Sequence, residues 1–129
     1  MKKKILIVIA NFYPDISKKL ISSAQNELKN FAKIKIIYVP GVFEIPITIR
    51  KNIKKFNGFL ALGCVIKGET PHFEYISKTT IDAIMNISIN YNKPIGNGIL
   101  TCFNLSQAKK RMNKGAEASK ALISVLSQK

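Results

Sequence analysis

Gly58-Phe59-Leu60-Ala61-Leu62-Gly63-Cys64-Val65-Ile66 is nine residues without a charge and without polar alternation, the pattern of a strand covered on both faces of a sheet. A polar loop follows, Lys67-Gly68-Glu69-Thr70-Pro71, and then a helical stretch from His72 to Tyr91. A buried strand feeding a long helix is half of a βαβ unit, whose strands pair in parallel. The alternation repeats outward in both directions. Upstream, residues 4–10 (KILIVIA) form another apolar run, ended by Asn11-Phe12-Tyr13-Pro14. Pro14 suits the first turn of a helix and Asp15 places negative charge near its N-terminus. Ile16, Leu20, Ile21, Ala24, Leu28 and Phe31 then fall on one buried stripe. Residues 34–39 (IKIIYV) read as a strand, Pro40-Gly41 breaks it, and helical spacing resumes through Phe43, Ile47 and Ile53, with Pro46 tolerated in the first turn. Downstream, residues 94–101 supply a fourth strand, weakened by Gly96 and Gly98, and helices are expected over 104–112 and 115–127. The chain therefore reads as one α/β domain over 1–129, a three-layer α/β/α sandwich around a four-stranded parallel sheet with right-handed crossovers.

Length agrees with one domain. The 129 residues are 47% hydrophobic, and surface scaling gives about 6,800 Å² for a folded monomer of this mass, enough burial for a core without metal or disulfide staples. The basic start followed by a short apolar run resembles a leader peptide, but the run stops at Asn11 before any small-residue cleavage pattern. No stretch approaches the length of a membrane span. Cys64 and Cys102 sit in apolar surroundings and read as free buried thiols of a cytoplasmic protein. The net charge of +14 invites a nucleic-acid reading. Its make-up points elsewhere: the 21 basic residues include only two arginines, Arg50 and Arg111, and arginine is the better reader of guanine and phosphate. Lys, Ile and Asn make up 51 of the 129 residues, the bias of an AT-rich coding sequence, and no RNA-stacking or zinc-finger pattern is present. No specific nucleic acid and no membrane are expected as partners.

In an open parallel sheet, ligands sit beyond the carboxyl ends of the strands. Those ends deliver Asn11-Phe12-Tyr13, Pro40 to Glu44, Lys67 to His72, and Thr101 to Asn104, where nearly every unusual residue of the chain falls. His72 is the single histidine, the side-chain type whose ordinary charge change lies nearest neutrality; it is a candidate proton carrier or a surface residue. One histidine with two cysteines is a poor basis for zinc, so no metal is expected. The loop Lys67 to Thr70 can present N–H groups and a hydroxyl to an anion. It lacks GxxxxGK[ST], and no GxGxxG follows the first strand, which leaves a single phosphate on a small substrate as the ligand. Arg111 is its natural two-pronged partner, or part of a basic surface with Lys109 and Lys110. Phe12 either stacks on a flat heterocycle or plugs the core edge. Glu44 either accepts ring N–H groups or caps its own helix.

The stretches Val39-Pro40-Gly41-Val42-Phe43-Glu44-Ile45-Pro46 and Ala61 to Tyr75, with Gly98-Ile99-Leu100-Thr101 and Asn113-Lys114-Gly115-Ala116-Glu117, resemble the 6,7-dimethyl-8-ribityllumazine synthase family over residues 5–127. The resemblance implies a flavodoxin-like fold and a transferase of riboflavin biosynthesis. That enzyme condenses 5-amino-6-(D-ribitylamino)uracil with 3,4-dihydroxy-2-butanone 4-phosphate, releasing phosphate and water without metal or cofactor. It further implies that Phe12 stacks on the pyrimidine and that Val42, Phe43 and Glu44 behind Gly41 meet the ribityl chain. Cys64, Val65 and Ile66 would flank the pyrimidine edge. Gly68, Glu69 and Thr70 would cradle the phosphate with Arg111, His72 would transfer protons, and Lys114 would lie near the pocket.

Several positions depart from the family pattern. Lys67 stands where arginine is usual, Tyr13 where asparagine often follows the stacking phenylalanine, and Asn97 where an aromatic lines the pyrimidine site. The turn from Arg111 to Lys114 is shorter than usual. Members commonly carry an extra N-terminal strand that joins a neighbour's sheet, and the expectation is a fold lacking it. The resemblance implies homopentamers with sites at subunit boundaries, some building 60-subunit shells, and a functional link to riboflavin synthase. A pentamer is expected over a shell, because sixty copies of a +14 chain repel one another. The competing expectation is a basic RNA-associated or shell-forming protein of the same fold without catalysis.

Overall fold

The computed structural model describes residues 2–128; the ends of the expected 1–129 domain, Met1 and Lys129, lie outside them. The elements alternate as β1 (Lys3–Ala10), α1 (Pro14–Leu28), β2 (Ala32–Val39), a 3-10 turn (Val42–Glu44), α2 (Ile45–Lys51), β3 (Gly58–Ile66), α3 (His72–Tyr91), β4 (Ile95–Cys102), α4 (Leu105–Lys110) and α5 (Lys114–Leu126). All three strand pairings are parallel, in the order β2-β1-β3-β4. This is the flavodoxin-like three-layer sandwich expected from the alternation.

The two central strands carry the apolar runs because both of their faces are covered. Ile5, Ile7 and Ile9 of β1 join Leu60 and Leu62 of β3 in a core beneath α1 and α5, where Leu20, Leu28 and Leu122 are buried. Leu6, Val8, Phe59 and Ala61 point the other way, into a core with Ile45 and Ile49 of α2 and Ile84 of α3. Gly96 and Gly98 leave β4 intact, and space explains them. A Cβ at Gly96 would lie 2.7 Å from the Ala118 carbonyl oxygen, and one at Gly98 would collide with Leu62 Cδ2. The glycines let α5 settle directly on the edge strand. The helix expected through Phe43, Ile47 and Ile53 is shorter and divided: a 3-10 turn carries Phe43, α2 carries Ile47 and ends at Lys51, and Ile53 falls in the turn beyond it. Pro46 is at the second position of α2, where its missing N–H costs nothing.

Candidate active site

Three strand ends converge on one cavity of about 660 Å³, lined by residues that follow β1, by the segment from Pro40 to Glu44, by the end of β3 and by the start of α3. Nine of the residues singled out in the sequence are in its wall: Phe12, Gly41, Val42, Phe43, Glu44, Cys64, Val65, Ile66 and His72. The convergence follows from topology, because parallel strands send all their carboxyl ends to one side of the sheet.

Each wall has a local cause. Val42 is buried at the head of the 3-10 turn, and Gly63 lets it lie on β3. A Cβ at Gly63 would stand 2.7 Å from Val42 Cγ1 and 3.0 Å from Ala10 Cβ. The Gly41 N–H donates to Glu44 Oε1 at 3.0 Å, and the Glu44 N–H donates to the Gly41 carbonyl at 3.2 Å. Glu44 thus caps its own helix while its half-buried carboxylate lines the cavity, so both sequence readings of this residue apply. Phe12 is 69% exposed, with its ring edge-on to Tyr13 at 5.0 Å between centroids. That leaves the flat apolar ring open to a ligand and braced from one side.

Cys64 is inert by environment. Burial, and secondarily Cys102, pushes its thiol up to about 11, which disfavours the nucleophilic thiolate. Burial likewise raises the Tyr13 phenol, with a smaller contribution from Cys64. His72 opens α3 on the exposed rim, its N–H donating to the Thr70 hydroxyl at 3.4 Å. The N–H groups of Gly68, Glu69 and Thr70, all exposed, have no acceptor among the described residues. They are not in the cavity wall, and they immediately precede His72 at the start of α3.

The remaining expected residues lie elsewhere on the chain. Arg111 and Lys114 line a separate recess of about 460 Å³ with Thr101 and Glu117. Their turn is closed by a hydrogen bond from the Lys114 N–H to the Arg111 carbonyl at 3.0 Å. Asn97 is exposed on the edge strand β4, where its Oδ1 accepts from the Ile99 N–H at 3.1 Å. Arg111 and Lys114 follow the edge strand β4, and α5 packs back on α1, where Gly115 lies against Leu20 and Ser23; their recess shares no lining residue with the Phe12 cavity. Tyr13, Pro40 and Ile76 also line the cavity. The first two adjoin chosen residues, and Ile76 lies four residues beyond His72 on α3, a spacing that puts both on one helix face.

The wall thus offers apolar surface from Phe12, Val65 and Ile66, a carboxylate at Glu44 and an imidazole at His72, with the backbone N–H groups of Gly68, Glu69 and Thr70, unpaired among the described residues, nearby in sequence. The family model described as 6,7-dimethyl-8-ribityllumazine synthase matches residues 2–129. Proteins named 6,7-dimethyl-8-ribityllumazine synthase are similar along nearly the whole chain. One from Bartonella tribocorum is 41% identical, covering 100% of this chain and 93% of its own length. One from Campylobacter jejuni is 39% identical, covering 95% and 87%, and one from Ruthia magnifica is 38% identical, covering 97% and 84%. The chain belongs to the 6,7-dimethyl-8-ribityllumazine synthase family.

Proposed function

We propose that this chain condenses 5-amino-6-(D-ribitylamino)uracil with 3,4-dihydroxy-2-butanone 4-phosphate in the Phe12–His72 cavity, completed at a subunit seam by Arg111 and Lys114 of a neighbouring copy. The observation that carries the site is the meeting of Phe12, Glu44, Val65, Ile66 and His72 in one wall. Phe12 stacks on the pyrimidine, Val65 and Ile66 hold its edge, and Glu44 accepts hydroxyls of the ribityl chain near Val42 and Phe43. Gly68, Glu69 and Thr70 offer their N–H groups to the phosphate, and the neighbour's Arg111 grips it from the other side.

The uracil amine attacks the ketone and forms an imine with loss of water. Phosphate leaves, and the ribityl-bearing nitrogen closes the second ring with loss of another water. Each step moves a proton, which His72 accepts and returns; such general acid–base help is typically ~10²–10⁴-fold. Holding two substrates together and steadying the departing phosphate supply the rest.

A seam is supported by surface. The single chain exposes 7713 Å², above the about 6,800 Å² expected of a monomer of its mass. Its exposed large apolar residues include Phe12, Tyr75, Met85 and Ile89, and α3 has only Thr80 and Ile84 fully buried. Apolar surface of this kind marks an interface. The working form in this reading is a homopentamer in the cytoplasm, passing its product to riboflavin synthase. The test is direct: the purified chain is mixed with both substrates while lumazine absorbance and phosphate release are followed. The two rise together if the reading is right; an assembled pentamer that yields no lumazine contradicts it.

A further inference from the structure

A second recess, of about 540 Å³, opens at the amino ends of the strands, opposite the Phe12 cavity. Lys2, Lys4, Lys33, Lys54, Lys55 and Lys93 ring it, and none of the chain's seven acidic residues lines it. Its frame is fixed. The Lys4 N–H donates to Asn57 Oδ1 at 2.8 Å, and the Asn57 N–H returns a bond to the Lys4 carbonyl at 2.8 Å, tying the start of β1 to the turn before β3. Lys93 is half-buried, with Nζ donating to the Phe56 carbonyl at 2.8 Å, which leaves its other two protons free. Phe56 and the lysine stems supply apolar walls.

Ammonium groups of one sign around a concave, low-dielectric surface focus positive potential, and a bound anion relieves their repulsion. A biased composition explains many lysines; it does not explain six facing one recess with no carboxylate among them. Near neutral pH a single phosphate carries at most about two negative charges and would leave most of the ring unpaired. We infer that this recess binds a compact chain of linked phosphates, as an anion site separate from the substrate cavity. Its outline, a concave recess of about 540 Å³, fits a short ligand better than an extended RNA backbone, and its lysines are point charges without arginine's geometry for bases.

The test is calorimetric titration of the full, assembled chain with tripolyphosphate, ATP and orthophosphate, alongside a Lys4→Gln/Lys33→Gln/Lys55→Gln variant. Tripolyphosphate should bind more tightly than orthophosphate, weaken with added salt, and lose about tenfold or more in the variant, the scale of three modest ion pairs removed together. The variant should form lumazine at the unaltered rate. ATP binding as tightly as tripolyphosphate supports recognition of phosphates alone, and tighter ATP binding supports added contact with Phe56. The inference fails if the variant binds tripolyphosphate undiminished, if orthophosphate binds equally well, or if Arg111→Ala abolishes the binding and so moves it to the substrate recess. A short single-stranded RNA is titrated as a fourth ligand, and the inference also fails if that RNA is the only ligand whose affinity the variant loses.

Discussion

Gly41 donates its backbone N–H to Glu44 Oε1 at 3.0 Å, so one carboxylate both closes the turn that enters α2 and lines the cavity. The two duties separate by mutation. Glu44→Gln keeps an oxygen for the Gly41 N–H and loses the charge, whereas Glu44→Ala loses both. Glu44→Ala should destabilise the fold by about 1 kcal/mol, the usual cost of a lost cap, with Glu44→Gln near wild type in thermal melts. Both should weaken use of the ribityl-bearing uracil. Full uracil affinity in Glu44→Gln would confine Glu44 to its structural role.

Gly63 is the floor on which Val42 rests. A methyl group there meets Val42 Cγ1 and Ala10 Cβ, neither at the end of a long flexible side chain. Gly63→Ala should therefore cost about 1–3 kcal/mol through overpacking, read from denaturant midpoints. It should also raise the KM for the uracil substrate by lifting the 3-10 turn. A neutral Gly63→Ala would mean that the turn shifts freely.

His72 stands on the rim rather than in a closed pocket. Water can therefore replace part of its proton transfer, and His72→Ala should lower kcat by about 10²-fold, the low end for general acid–base catalysis. The KM values should change little, because stacking and phosphate contacts survive. An unchanged kcat would remove His72 from the chemistry.

Cys64 offers a pH test. Its folded-state pKa of about 11 lies above the ~8.5 of a free thiol, so the folded protein favours the proton. Stability from this group is intact below about pH 8.5 and declines as pH rises toward 11. Iodoacetamide at pH 8 should modify native Cys64 far more slowly than it does in urea. Equal rates would show an accessible, unshifted thiol.

The strands and their ligand-bearing ends were legible because apolar runs and glycine–proline breaks are local signals. Pro40-Gly41 ended β2, and Asn11 ended β1, where the structure places those ends. Strand order was not legible: alternation demands parallel pairing but does not say which strand is the edge. Nor was it legible that Arg111 and Phe12 would line two separate recesses of one chain. Likewise, Tyr75, Met85 and Ile89 read as ordinary members of an apolar helix. Only packing reveals them as exposed, since the sequence pattern of an apolar face is the same whether its cover is intramolecular or another copy. The lysine recess was hidden for a related reason, its six residues being scattered from position 2 to position 93.

The central claim is that one chain's His72 works with its neighbour's Arg111. Arg111→Ala alone should chiefly raise the KM for the phosphorylated ketone, and His72→Ala alone should chiefly lower kcat. Coexpressing the two variants in equal amounts tests the seam, because mixed oligomers then contain boundaries where an intact His72 meets an intact Arg111. With the ketone held well below the KM of the Arg111→Ala assembly, so that both single variants are nearly silent, random mixing should give about a quarter of wild-type seams and lumazine formation near that fraction of the wild-type rate. Activity no greater than the average of the two single-variant assemblies would contradict a shared site.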